Sequence, residues 1–557
     1  MSRRVGSDRL VPRPAVPEPH GARVLRVGVP AHGCHRWRWL RPRGRRAWTV
    51  WTEGGRLLGA SRERPRPRHL VSAGPPAGFC HQASVVVAAP RAGVAPPTLR
   101  NRPSRPPWHE RRGPDGSRTR WFRHGSFTTG PAPRLADVDS RPNVLWIITD
   151  DQPRRSLRTM PHTMRLLVEP GVRFRHGYTA VPWCGPARAS MLTSMYPHNH
   201  DCLTNVTLPK FVDQGLDQDT VATRMKDAGY RLGYFGKYMN AHRSMPEYVA
   251  PGWDRWVVRI TAKQLPYNID GRVVDVAEDQ QTSDAYAGRQ ATEFLRTNTQ
   301  RPWFVVFAPT SPHSPYTPSR RHRHDFDDVS WDPPALNEKN LEDKPAWMRA
   351  LEPQDRERMR RHWEGKLEEL RDLDDQIREL VRALRATDQL DNTVIMLVSD
   401  NGYMLGEHRL FRKEHPYEES AGIPFVVRGP GFQPGRRDAL VSQVDLMPTT
   451  LELAGLEPDE GRELDGRSML RPLTSGDWSG WRRRLLCENP HLDWALLREG
   501  RMAFIRHYER GGRELYDLED DPHQMRSLHR TTDTEPYLTS LNALRGAAGL
   551  ELRALER

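Results

Sequence analysis

Pro142-Asn143-Val144-Leu145-Trp146-Ile147-Ile148-Thr149-Asp150-Asp151 is the stretch from which the rest of the chain is read. Its apolar run is short and continuous, without polar alternation. That is the pattern of a strand buried on both faces, as in a parallel sheet covered by helices. It ends in two adjacent carboxylates. The same form recurs three times. Arg231-Leu-Gly-Tyr-Phe235 runs into Gly236-Lys237-Tyr238. Trp303-Phe-Val-Val-Phe-Ala308 runs into Pro309-Thr-Ser-Pro-His313-Ser-Pro-Tyr-Thr-Pro318. Thr393-Val-Ile-Met-Leu-Val-Ser399 runs into Asp400-Asn401-Gly402.

Helical signals separate these runs. Asp219 is placed to cap a helix that passes Met225 and stops at Gly229. Pro353 opens a long amphipathic helix with apolar residues at Met359, Trp363, Leu367, Leu370, Leu373, Ile377, Leu380 and Leu384, in steps of three and four. Strands alternating with helices predict an α/β fold with a large, mixed, mostly parallel sheet. Ligands of such sheets gather beyond the carboxyl ends of the strands, where the polar clusters fall. After Gly431 the pattern changes. Val444-Asp-Leu-Met-Pro448 leads a short helix to Leu456. From Trp481 onward, Trp494 to Arg498, Met502 to Tyr508 and Glu514 to Leu518 read as short strands of a smaller antiparallel sheet, followed by a surface helix over 535–557. The expected division is a leader over 1–138, a catalytic α/β domain over 139–475 and a C-terminal subdomain over 476–557.

The net charge of the 557 residues is +15. Residues 1–140 hold 27 Arg, no Lys and 8 Asp plus Glu, whereas the remainder holds 58 basic and 62 acidic residues. All the excess positive charge therefore lies in the leader, which argues against a nucleic-acid partner for the remainder. The leader is rich in Arg, Pro and Gly and has no sustained period, so it is expected to be disordered. A second reading is that it is not native coding sequence, with translation starting near residues 125–140. No apolar run approaches the ~20 residues of a membrane span. With no recognisable secretory signal and five irregularly spaced cysteines, the expected location is cytoplasmic and no membrane partner is expected. A Cys184–Cys202 disulfide is possible by spacing.

The second decisive stretch is Trp183-Cys184-Gly-Pro186-Ala-Arg188-Ala-Ser190. Pro186 suits a first helical turn. Cys184 then lies at a helix N-terminus, which favours anions, and Arg188 is one turn on along the same face. Asp150, Asp151, Asp400 and Asn401 offer four hard oxygens from two strand ends, a set suited to Ca²⁺ or Mg²⁺. Lys237, His313 and Lys413 add cations and a titratable group.

The Cys-x-Pro-x-Arg spacing, the Asp pair after the first strand, Ser399-Asp-Asn-Gly-Tyr403, Ile423-Pro-Phe-Val-Val-Arg-Gly-Pro-Gly431 and Leu515-Tyr-Asp-Leu-Glu-Asp-Asp-Pro522 resemble the type I sulfatases, in that family's order. The resemblance covers residues 141 to about 525. It implies that Cys184 is oxidised to formylglycine by a formylglycine-generating enzyme. It further implies that a divalent cation, usually calcium, is held by Asp150, Asp151, Asp400, Asn401 and the oxygen at position 184, and that Cys184, Arg188, Lys237, His313 and Lys413 carry catalysis. The hydrated aldehyde would attack sulfur, His313 or Lys413 would protonate the leaving alcohol, and the second hydroxyl would expel sulfate. Met239 stands where many members have His, and Asn240 or His242 is expected to take over that contact. Gly236-Lys-Tyr-Met-Asn240 is similar to the N-acetylglucosamine-6-sulfatase branch, so a sulfated sugar is the expected substrate. A broad arylsulfatase, a phosphonate monoester or phosphodiester hydrolase of the same superfamily, and a non-catalytic binding module for sulfated glycans are the alternatives.

Overall fold

The computed structural model describes residues 141–261, 266–276, 283–297 and 301–557. The expected disordered leader, together with Cys34 and Cys80, lies outside the described residues. The element that organises the fold is strand β1 (Asn143–Thr149), buried along its whole length. Its alternate side chains enter two different cores. Val144, Trp146 and Ile148 pack with Ala187, Ala189 and Met191 of the helix Cys184–Thr193. Leu145 and Ile147 pack with Leu367, Leu370, Leu373 and Ile377 of the helix Arg356–Ala386. This two-sided burial is why the sequence shows no alternation, and it gives a sheet with helical layers on both faces.

β1 is central in a ten-stranded sheet. Its other strands are β2 (Val172–Tyr178), β3 (Arg231–Gly236), β4 (Arg255–Arg259), β5 (Tyr267–Ile269), β6 (Arg272–Val274), β7 (Trp303–Ala308), β8 (Thr393–Ser399) and, after the short hairpin β9 (Met404–Leu405) and β10 (Phe411–Arg412), β11 (Phe425–Arg428) and β12 (Gly435–Ser442). Their order is β12-β2-β11-β8-β1-β7-β3-β4-β5-β6. Only β11 and β5 run against the rest. The four runs read as buried strands form its centre, and the mixed, mostly parallel sheet is as expected.

Register fixes where the polar ends meet. Thr149 pairs with Ser399, so Asp150 and Asp400 leave the sheet side by side. Gly236 pairs with Ala308, which puts Lys237 beside the loop carrying His313. Gly236 has φ +118°, and a Cβ there would lie 2.0 Å from the Ala308 carbonyl oxygen. Glycine thus permits the turn that brings Lys237 over the strand ends.

A separate four-stranded antiparallel sheet follows: β13 (Arg484–Asn489), β14 (Trp494–Glu499), β15 (Met502–His507) and β16 (Arg513–Asp517). The first of these was not anticipated. The long helix starts at Arg356 rather than Pro353, because the Asp355 side chain accepts from Arg358 N and provides the cap. The earlier helix spans Val221–Asp227 and is capped by Thr220 in a reciprocal pair with Thr223, leaving Asp219 to bind Arg224 and Arg462. The tail forms two helices, Glu535–Arg545 and Gly549–Leu555, in place of one. Among the described residues no helix is long and apolar enough to cross a membrane.

Candidate active site

Cys184 is the first residue of its helix, and Arg188, one turn later, points the same way. Both are almost fully buried. The Arg188 guanidinium grips Asp400 Oδ2 through Nε and Nη2 at 3.0 and 2.9 Å, and its other nitrogen donates to the Lys237 carbonyl at 2.5 Å. Lys237 Nζ donates to Asp150 Oδ2 at 2.5 Å. Lys413 Nζ donates to Asp151 Oδ1 at 2.6 Å and lies 2.7 Å from Cys184 Sγ. Asn401 Nδ2 donates to Asp151 Oδ1 at 2.7 Å, and the Asp151 amide donates to Asp400 Oδ1 at 3.1 Å. His313 Nε2 lies 3.7 Å from Asp151 Oδ2, and its Nδ1 is tied to the Ser314 carbonyl. All nine expected site residues are thus drawn to one edge of the sheet.

Three buried carboxylates within one cluster need matched cations, and Arg188, Lys237 and Lys413 supply them. Burial opposes ionisation of Asp150, but Lys237, His313, Arg188 and Lys413 together hold its carboxyl well below the usual range. Burial likewise opposes Asp151, yet Lys413 and His313 bring it down to about 2. Asp400 goes the other way, up to about 6, through burial and the charge of Asp150, against the pull of Arg188. Burial and Asp150 push the Cys184 thiol up to about 12, so as an unmodified thiol it is a poor nucleophile.

Asp150, Asp151, Cys184 and His313 each present a ligand atom within 4.8 Å of the others. Asn401 Oδ1 is buried and accepts no hydrogen bond. An orphaned amide oxygen beside ionised carboxylates is the donor set that a hard divalent cation takes. Were Cys184 oxidised to formylglycine, the oxygen would take the place of this sulfur.

Other residues hold this edge in shape. Gln443 Nε2 donates to the Ser399 and Asp400 carbonyls at 2.6 and 2.8 Å, while its Oε1 accepts from Thr179. Lys366 is fully buried and donates to the Asp151 and Pro312 carbonyls at 3.0 and 3.1 Å, with its ammonium 3.8 Å from the Tyr403 ring centre. Burial lowers it to about 8. Sequence reasoning missed it, although Lys366 stands on the apolar stripe of the long helix, three residues after Trp363. Asn240 and His242 make no side-chain hydrogen bond to the cluster. His242 is buried against Trp256 and Tyr248, and both its ring nitrogens lack partners. The second sheet forms one wall: Trp183 packs on His491, and Trp494 Nε1 donates to the Glu414 carbonyl. Cys202 is a free, buried thiol and makes no disulfide with Cys184.

The sequence model of the sulfatase family matches residues 142–456. The chain belongs to the sulfatase family. A second model, described as N-sulphoglucosamine sulphohydrolase, C-terminal, matches residues 406–545 of this sulfatase. The extracellular sulfatase SULF-1 homolog of Drosophila melanogaster is 35% identical over 358 residues, 60% of this chain and 32% of that protein. The N-acetylglucosamine-6-sulfatase of Homo sapiens is 30% identical over 380 residues, 62% of this chain and 67% of that protein. The chain thus spans only a third of the first relative and about two thirds of the second. In fold, the sulfatase is similar to a protein solved in complex with its substrate D-glucosamine-2-N,6-O-disulfate, with TM-score 0.62 and 21% identity over 73% of this chain and 97% of that one. It is also similar to the phosphonate monoester hydrolase of Agrobacterium radiobacter, with TM-score 0.59 and 22% identity over 73% and 96%. The expected cytoplasmic location is contradicted, because the relatives from Drosophila melanogaster and Caenorhabditis elegans are both named as extracellular sulfatases. A missing signal in the first thirty residues was a poor guide to location in a chain whose first 140 residues have so unusual a composition.

Proposed function

We propose that this chain hydrolyses sulfate esters, with position 184 as the nucleophile after conversion of Cys184 to formylglycine. The observation that carries the proposal is the convergence of Cys184, Arg188, Lys237, His313 and Lys413 on the oxygen cluster of Asp150, Asp151, Asp400 and Asn401. Formylglycine hydrate would supply one hydroxyl for attack and a second to release sulfate, and a divalent cation would supply acidification of the first. Asp150, Asp151, Asp400 and Asn401 are the residues to hold that cation, with Ca²⁺ favoured and Mg²⁺ the alternative.

The remaining roles follow from position. Arg188, Lys237 and Lys413 already balance the three carboxylates, so an added dication leaves the pocket positive, the sign an anionic ester needs. Lys413 stands closest to position 184 and orients the attacking oxygen. Lys237 faces Asp150 and holds a sulfate oxygen. His313 is a quarter exposed, on the open side of the cluster. Its Nδ1–H donates to the Ser314 carbonyl, which turns Nε2 toward the cluster, and Nε2 is the nitrogen that would pass a proton to the departing alcohol from the protonated ring. The intact set favours an enzyme over a non-catalytic glycan-binding module.

Similarity to an N-acetylglucosamine-6-sulfatase supports a glucosamine 6-sulfate unit as substrate. The deciding comparison is kcat/KM on N-acetylglucosamine 6-sulfate, 4-nitrophenyl sulfate and an aryl phosphodiester. Preference for the sugar is expected. Turnover of the aryl sulfate alone would leave a broad arylsulfatase, and preference for the diester would favour the phosphonate hydrolase reading. Mass spectrometry of the Cys184 peptide should show formylglycine when a formylglycine-generating enzyme is present. Full activity from protein with an intact thiol would end the proposed mechanism. Elemental analysis should find calcium or magnesium, and zinc would contradict the metal assignment.

A further inference from the structure

A second concentration of charge lies away from the catalytic edge. β2 and β12 run parallel, and Arg173 and Arg436 are register partners near their first residues. Both strands run parallel to β1 and are about 20 Å long, so this pair sits toward the edge of the sheet opposite Asp150 and Asp400. Like charges directly opposite on paired strands are destabilising. Arg175, two residues on, shares their face. Arg175 and Arg436 have one carboxylate between them, Asp438, at 4.0 and 3.8 Å, and it is 71% exposed. Arg158 approaches from the short helix Arg154–Thr159.

Two adjoining cavities, of 370 and 440 Å³, follow this face and share Arg175, His176 and Leu518 as common wall. The first also has Arg158 and Arg173 beside Glu418 and Glu419, and the second has Arg483 together with Arg501, which is already paired with Asp517, Glu519 and Asp520. No lysine lines either cavity. Arg158, Arg173 and Arg483 have no carboxylate partner among the described residues. The local field is positive enough to act on its own members. Burial and the charges of Arg436, Arg154 and Arg158 hold Arg173 below its ordinary value. Burial and Arg498 bring His176 down to about 4. The surrounding protein does not explain this, because residues 141–557 together are slightly acidic.

We propose that this groove docks a sulfated polysaccharide, holding sulfate groups of the polymer remote from the one cleaved at the catalytic edge. Guanidinium forks match the oxygens of a tetrahedral anion two at a time, which an ammonium cannot do. A row of them set along a strand suits a repeating polyanion. Neither cavity has Phe, Tyr or Trp in its wall on which a nucleic-acid base would stack, and this favours a glycan over a single-stranded nucleic acid. The proposal rests on the sulfatase reading only for its effect on turnover.

The test uses the full chain. Arginine-selective labelling, read residue by residue by mass spectrometry, is compared with and without a heparin-derived hexasaccharide. This readout is local, so binding by the arginines of residues 1–140 does not confuse it. Arg158, Arg173 and Arg483 should be protected in the wild type, and protection of Arg158 and Arg483 should be lost in Arg173→Glu/Arg436→Glu. The milder Arg173→Gln/Arg436→Gln pair guards against misfolding. In both variants kcat/KM on a sulfated polymer should fall roughly tenfold, the loss of about one charge-assisted contact. Turnover of 4-nitrophenyl sulfate should not change. Unprotected arginines in the wild type, an unchanged ratio of polymer to aryl-ester turnover, or equal protection by duplex DNA of matched charge would overturn the proposal. Absence of turnover on any sulfate ester would instead strike the sulfatase reading and leave the labelling result to judge the groove.

Discussion

The two edges of the large sheet treat charge in opposite ways. At the carboxyl edge, Asp150, Asp151 and Asp400 meet Arg188, Lys237 and Lys413, and none of these side chains is more than a tenth exposed. At the other edge, Arg175 and Arg436 share a single exposed carboxylate, and Arg173 has none among the described residues. Burial accounts for the difference. A charge removed from water must find a partner nearby, whereas an arginine still touched by water can stand unpaired at little cost. Deletion of a charge should therefore damage the first edge and relieve the second.

Asp400→Ala is the severest break in that balance. It strands the buried Arg188 and removes one proposed metal ligand. Turnover should fall on the order of 10⁴-fold or more, and denaturant unfolding should show a loss of about 3–5 kcal/mol. Near-wild-type activity would contradict the assigned role. Lys366→Met keeps the volume but removes the cation that joins the Asp151 and Pro312 carbonyls. A drop of roughly 10²-fold in kcat with little change in KM is expected from loosening two loops of the proposed site at once. An unchanged kcat would make Lys366 a core residue only.

Beneath the Cys184 helix, His200 is buried and bonded to Ser190 Oγ at 2.9 Å. Burial brings it down to about 4 from an ordinary 6.5. Its folded value is depressed, so the unfolded chain takes up the proton first as pH falls. Stability is complete above about 6.5 and declines toward pH 4, by about 3 kcal/mol for this group. His200→Gln should flatten that part of the stability–pH curve, and an unaltered slope would assign the acid sensitivity elsewhere. The smallest effect belongs to the opposite edge. Arg173→Gln removes one of two facing like charges and should stabilise the ligand-free chain by about 0.2–1 kcal/mol. A loss of stability would mean that the face is held by contacts other than those described.

The central strands were legible because each is apolar from end to end and closes on a polar cluster. The same clusters marked the site, so Asp150, Asp151, Lys237, His313, Asp400 and Asn401 could be named before any contact was known. β2 escaped notice because Val172-Arg-Phe-Arg-His-Gly-Tyr178 alternates, as a strand with one wetter face does. β11 is four residues long and antiparallel, too short for periodicity to mark. Lys366 has backbone carbonyls for partners, and no side-chain motif records them. Asn240 and His242 were expected in the cluster through resemblance alone, and their hydrogen bonds do not lead there.

The pairing of Thr149 with Ser399 spans 250 residues. In time, at about 5–20 residues per second of synthesis, the gap lasts on the order of ten seconds to a minute. Throughout it, Asp150 and Asp151 have been made and Asp400 has not. Cys184 emerges early in the same interval, whereas Lys413, which lies against its sulfur in the folded chain, is made after the far strand. An enzyme that acted on this cysteine would therefore have a head start over folding, at least as long as the stretch of gene between Cys184 and Asp400 takes to read.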